Sequence, residues 1–343
     1  MHINDFNDAI KNCRFCFMCR HLSAVGNVRC TEADTPRVRA AMIYGIGTGT
    51  NRLDDEDFIA TLYRQDLSAC CRRNCVKHFD ENGLALAARA DVVEAGLAPA
   101  AVKELAAKFA ASAKWTLSGK GDVAYFEDEA TAAAKTVAPA FAALAKKAGV
   151  KYAVVKGGCI GKVLKVLGYL PEAKAAAEAF AAFVAKAGIK TLVVSNPALC
   201  DAFANDYPEL GVKFPAKVVS SAAFIAGLGL KFKACGEVYY LADDFLRNYL
   251  GCDCAEKLLK ALKAQLKPFG TNDEESYCCG EGALVLDKLN PELVKAMAEY
   301  VAARADDQKK DVVVVASPYT RRILAKYGKL NVVTLDELAA ACI

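Results

Sequence analysis

The apolar positions of this chain change period near residue 119. Before that point they fall at helical spacing: residues 54–63 and 98–114 carry apolar side chains three and four apart, the second stretch rich in alanine. Thr35-Pro36 reads as an N-cap with proline at the first helical position, opening a helix that runs through Ile43. Beyond residue 119, short continuous apolar runs take over: DVAYF (122–126), YAVV (152–155), TLVVS (191–195), EVYYL (237–241), DVVVVAS (311–317) and NVVTL (331–335). These predict buried strands, and Ala-rich segments such as 171–187 and 291–304 predict the helices between them. Strands alternating with helices mark an α/β fold with parallel sheets. The expected organisation is a helical domain over 1–118 and two α/β lobes over 119–235 and 236–343.

The two lobes read as copies of one unit. Asp122-Val123 matches Glu237-Val238, and VVSNP (193–197) matches VVASP (314–318). Pro171-Glu172 matches Pro291-Glu292 in the same way. In this register Gly158-Cys159 lies over Cys278-Cys279, and Asp128-Glu129 over Asp243-Asp244. Lobes related by a pseudo-twofold axis would bring these acids and cysteines to one cavity. The plainer reading of the acids is that they cap the helices after each first strand.

Cysteine then changes the picture. There are 15 cysteines and three histidines, His2, His21 and His78, so a His-based triad or a His-rich metal site is not expected. The start, MHINDFND, does not read as a signal peptide, and the expected location is cytoplasmic, where clustered cysteines favour metal or redox work over disulfides. A net charge of +4 with no basic run gives no case for nucleic acid, and no apolar run is long enough for a membrane span. No Gly-x-Gly-x-x-Gly follows a strand, so a flavin or nicotinamide would sit on another chain.

Cys13, Cys16 and Cys19, in CRFCFMC, form a C-x2-C-x2-C run, which lets one loop present three thiolates to a 4Fe–4S cluster. In two-cluster ferredoxins the fourth cysteine of each run serves the other run's cluster. Aligned that way, ACCRRNC supplies Cys75 as fourth ligand. The second cluster would need Ser23, Gln65, Ser68 and Cys71, of which only the last is a cysteine. Cys30 and Cys70 compete with Cys75. In SYCCGEGAL, adjacent Cys278 and Cys279 are too close along the chain to favour a mutual disulfide, and Gly280 and Gly282 let the backbone bend around a metal.

Together, CRFCFMCRHLS, TPRVRAAM, NGLALAARADVVEAGLAP and CCGEG resemble the CCG-domain iron–sulfur oxidoreductases, which include heterodisulfide reductase subunits and the iron–sulfur subunit of glycolate oxidase. The resemblance covers nearly the whole chain. It implies a ferredoxin-like first domain, a degenerate first CCG lobe and a second CCG lobe. The chain departs from the family's pattern in several places. Glu129 and Asp244 stand where a cysteine is usual after the first strand of each repeat. The first CCG survives only as Gly158-Cys159-Ile160. The C-P-x-C endings have become Asn196-Pro197, with Cys200 displaced, and Ser317-Pro318. Cys252 and Cys254 could fold towards the same cleft.

The implied role is an electron-transfer subunit working with a flavoprotein dehydrogenase or an electron-transfer flavoprotein. Alternatives are a reductase acting on a small substrate or disulfide in its own CCG cleft, and a metal-binding scaffold. The candidate metal ligands are Cys13, Cys16, Cys19, Cys75, Cys278 and Cys279. Cys159 and Asp243 are candidates for binding a second, atypical iron–sulfur centre. Cys278, Cys279, Asp244 and Glu129 are the candidates for catalysis.

Overall fold

A computed structural model describes residues 1–13 and 16–343; Arg14 and Phe15, inside the first cysteine run, lie outside the described residues. Up to Ala111 the described residues form helices and connecting loops with no strand, as their apolar period requires. Helices Pro36–Gly47, Glu56–Tyr63 and Ala100–Ala111 match the expected ones. Thr35 holds the N-cap position, yet its hydroxyl does not cap; it donates to the Glu32 carbonyl instead.

Helix Glu81–Glu94 ties this part together. Its Asp91 carboxylate accepts the backbone N–H groups of His2 (2.6 Å) and Ile3 (3.0 Å), pinning the chain start. Its Arg89 is buried and donates to the carbonyls of Leu62 (2.6 Å) and Val166 (2.9 Å), so one guanidinium links the helical part to the sheets.

Nine strands follow among the described residues. β1 (Trp115–Ser118), β2 (Val123–Glu127), β3 (Ala153–Gly157), β4 (Thr191–Val194) and β5 (Lys217–Ser220) form one sheet in the order β1-β3-β2-β4-β5. β6 (Glu237–Tyr240), β7 (Gln265–Lys267), β8 (Val312–Val315) and β9 (Asn331–Thr334) form another in the order β7-β6-β8-β9. All pairings are parallel except β1 with β3. Without β1, the first sheet repeats the order of the second, with β2 in the place of β6 and β4 in that of β8. β1, β5 and β7 are not among the expected strands; β1 and β7 are largely solvated edges that need no apolar run, and β5 is a short, half-buried edge.

The fold positions its chemistry through the parallel strands. Asp128, Cys159 and Asn196 follow β2, β3 and β4; Asp243, Cys278 and Ser317 follow β6, β7 and β8. In each sheet the chain leaves the first strand towards one side and later crosses to the other, which opens a crevice at the carboxyl ends of the strands. The sheets are joined by Asp336, from the C-terminal helix Leu335–Ala341. Its two carboxylate oxygens accept from Ser195 (2.9 Å) and Ser221 (2.8 Å). Among the described residues, no helix is long and apolar enough to cross a membrane.

Candidate metal centres

Cys13, Cys16, Cys19, Cys71 and Cys75 line one cavity with Glu81 and Arg37. The short helix Cys70–Asn74 delivers the last two thiols, and the chain reaches it through positive φ at Leu67 (54°) and Ala69 (57°). Burial and the Glu81 carboxylate push the Cys19 thiol up to about 11. A hydrogen bond with Cys70, then burial, push Cys71 well above the usual thiol range. Glu81 is itself pushed up to about 7 by burial, against the opposing pull of Arg39 at 3.8 Å. Five thiols around one space fit a 4Fe–4S cluster, which takes four.

The competing ligands, Cys30 and Cys70, do not line this cavity, although Cys70 packs against Cys71. Cys30 is exposed at the end of helix Ala24–Arg29 and donates to the Asn27 carbonyl. Cys70 is buried and donates to the Leu22 carbonyl at 3.0 Å. The positions of the missing second set have become structural: the Ser23 hydroxyl caps a helix at Gly26, and Gln65 donates to Asn82. Cys71 was the surviving member of that set in the sequence reading, yet it lines the same cavity as Cys75.

A second group forms beyond β6 and β7. One ligand atom from each of Asp243, Cys278 and Glu281 lies within 4.8 Å of the others, and all three residues are buried. The turn that makes this possible has positive φ at Cys279 (53°) and Gly280 (86°), so the chain doubles back and the Glu281 N–H donates to the Cys278 carbonyl at 3.2 Å. Asp243 caps the Leu246 N–H through one oxygen, as the plainer reading of the acids expected, but its other oxygen has no partner. Glu281 accepts from Thr320 at 2.7 Å and Asp244 from Ser276 at 2.7 Å; each also keeps one buried oxygen without a partner. Burial pushes Asp243 up to about 6 and Asp244 up to about 7, and burial with the Asp243 charge pushes Glu281 well above the carboxylate range. Burial and the three acids raise the Cys278 thiol far above its usual value.

The single cavity expected for all the repeat-related acids and cysteines is divided. A neighbouring cavity of about 260 Å³ is lined by Asp128, Glu129 and Cys159 from the first sheet's side and by Glu281, Lys288 and Arg322 from the second's. Asp128 caps Thr131 and accepts from Asn196 at 2.7 Å, so its carboxylate is satisfied. Glu129 pairs with Lys288 at 3.3 Å. The Cys159 sulfur accepts from the Gly161 N–H. None of the three belongs to the Asp243–Cys278–Glu281 group. Cys279 turns into the apolar core with Tyr239, Leu286 and Met297. Cys252 lines a separate groove with Cys200 and Ser220, and Cys254 accepts from the Ser220 hydroxyl.

Glu281 touches both spaces and is not among the residues singled out from the sequence. Its signal was in view, two positions past the paired cysteines, in the same motif.

The family profile of the cysteine-rich CCG domain matches residues 246–319. The chain carries a CCG domain. Comparisons with curated proteins and with solved structures matched nothing. The matched CCG domain starts two residues after Asp244 and ends at Tyr319, so it contains Cys278, Cys279, Glu281 and Ser317. A CCG domain is cysteine-rich and associated with iron–sulfur binding, and a redox or metal-binding role fits it.

Proposed function

We propose that this chain is an iron–sulfur electron-transfer subunit of a redox enzyme complex, divided into a ferredoxin-like domain (1–118) and two α/β lobes (119–235 and 236–343). The convergence of Cys13, Cys16, Cys19, Cys71 and Cys75 on one cavity carries this reading. A 4Fe–4S cluster held there would exchange single electrons. The surrounding residues favour transfer to another protein. Cys16 is exposed, and Phe17, Met18 and Val76 stand 65%, 54% and 80% exposed beside it. Apolar side chains grouped at the mouth of a cofactor cavity suit a docking surface. The Arg37 guanidinium lies 4.2 Å over the Phe17 ring and holds it at that mouth. The partner in this reading is the flavoprotein dehydrogenase or electron-transfer flavoprotein that the sequence resemblance implies.

Inward from the cavity, the chain runs from Cys71 through Ser68 to Leu67, whose carbonyl meets Gly282 of the CCG turn. That short path supports passage of electrons between the surface and the CCG cleft. The test is iron and acid-labile sulfide analysis of anaerobically purified protein, with EPR after reduction. About four irons per chain and a cubane signal are expected. A folded, reconstituted chain with no sulfide would end this reading.

The cavity beside Glu281 supports the reductase alternative. A small substrate there would lie against Glu281, which also reaches Cys278. Reduction of a small disulfide by the cluster-loaded chain alone, without a second protein, would favour this alternative over the carrier role.

A further inference from the structure

A CCG domain implies an iron–sulfur cluster at its paired cysteines, and the residues around Cys278 do not fit one. A cluster binds its ligands through several irons and needs a set of thiolates. Here Cys279 faces the apolar core and Cys159 lines the neighbouring cavity. Two carboxylates take the remaining places.

We propose that the turn holds a single borderline divalent cation, Zn²⁺ or Fe²⁺, bound by the Cys278 sulfur and one oxygen each from Asp243 and Glu281. Two observations carry this independently of whether the N-terminal cavity holds a cluster. The first is spacing. The three ligand atoms lie within 4.8 Å of one another. Ligands about 2.0–2.3 Å from one ion stand at most about 4.6 Å apart, so this group needs only a slight contraction to close on a cation.

The second is the set of orphaned oxygens. Asp243 Oδ2, Asp244 Oδ1 and Glu281 Oε1 are buried and meet no donor in good hydrogen-bond geometry, and the Asp243 and Glu281 carboxyls face each other instead. Buried acceptors without partners are costly, and three together beside a thiol call for a cation. Arg247 attracts Asp243 and Asp244 through its charge but donates to neither, because its Nη atoms go to the carbonyls of Asn272 and Glu275. Each ligating carboxylate is held by its other oxygen, Asp243 by the Leu246 N–H and Glu281 by the Thr320 hydroxyl, which is how ligands are oriented at metal sites. The equivalent acid in the first repeat, Asp128, has lost that capacity, since Asn196 and its own helix take up both its oxygens.

The donor set decides the metal class. One thiolate disfavours Mg²⁺ and Ca²⁺, two carboxylates disfavour Cu⁺, and the mixture suits Zn²⁺ or Fe²⁺. Binding replaces the ligand protons with the cation, so the thiol and any protonated carboxyl release theirs to solvent.

The full chain, purified anaerobically, is analysed for metals and titrated with Zn²⁺. One equivalent beyond the N-terminal iron is expected, with a zinc absorption-edge spectrum showing one sulfur neighbour near about 2.3 Å and the rest oxygen. If the purified site already holds iron, Mössbauer spectra show high-spin Fe²⁺ that Zn²⁺ displaces. Asp243→Asn, Glu281→Gln and Cys278→Ser each weaken binding at least tenfold, and Cys279→Ser does not. Unchanged N-terminal iron and thermal melts certify that the variants are folded. Sulfide near eight per chain, equal loss in Cys279→Ser, unaltered zinc binding in folded Asp243→Asn and Glu281→Gln, or no zinc bound by the folded wild type would each overturn the proposal.

Discussion

The α-carbon of Gly282 packs directly on the carbonyl of Leu67: a Cβ there would stand 2.2 Å from that oxygen. This contact joins the CCG turn to the stretch that leads to Cys70 and Cys71. Both sides are backbone, so neither can rotate away. Gly282→Ala should therefore destabilise the protein by about 2–3 kcal/mol, as overpacking does in a rigid interior. Gly47→Ala, with open space around it and ordinary φ, should leave stability unchanged or raise it by up to about 1 kcal/mol. Denaturant melts of both variants decide this. Equal stability of the two would mean the turn and the 66–68 segment are not in contact.

The cysteine assignments separate cleanly. Cys13→Ser, Cys16→Ser and Cys19→Ser should each abolish the reduced cubane signal. Cys30→Ser should leave iron and sulfide at wild-type levels, because that thiol faces Asn27. Cys71 and Cys75 both line the cavity, so either single change should lower cluster content, measured as iron per chain after anaerobic reconstitution. Loss of the cluster in Cys30→Ser alone would redraw the ligand set.

Asp336 gives a pH dependence with a definite sign. Burial raises its carboxyl from 3.8 to about 6, against the pull of the Ser221 and Ser195 hydroxyls. The folded state thus binds a proton that the unfolded state releases between about pH 4 and 6. Its contribution is fully present below pH 4 and is lost as pH rises through 6, by at most about 3 kcal/mol at 1.36 kcal/mol per unit. Asp336→Asn removes this titration, and the two serine hydroxyls can rotate to suit the amide. The stability of the variant relative to wild type should increase from pH 4.5 to pH 7.5. A flat difference across that range would show that Asp336 titrates normally.

Arg89 is a structural test of how the helical part is held to the sheets. Its guanidinium serves carbonyls at Leu62, Gln65 and Val166 from a buried position. Arg89→Met leaves those carbonyls unpaired and should cost about 3 kcal/mol or more. Arg89→Lys should recover only part of this, since an ammonium cannot reproduce the fork. Full recovery by lysine would show that charge alone is at work.

The sequence by itself determined the elements whose burial forces a pattern. Runs such as VVVV (312–315) and TLVV (191–194) sit between layers and must be apolar on both faces, so they announced β8 and β4. The cysteine run marked Cys13, Cys16 and Cys19 as candidate metal ligands because its spacing is local. Tertiary structure alone decided which polar groups were left unsatisfied. Asp128 and Asp243 occupy the same place in the repeat and look alike in sequence. One is met by Asn196 across the sheet, while the other faces Cys278 and Glu281 with an oxygen free. That difference depends on side chains from distant strands, and on a turn whose positive φ at Cys279 and Gly280 swings Glu281 back over Cys278. A chain read residue by residue shows where acids and thiols lie, but the path of the backbone fixes which of them share one point in space.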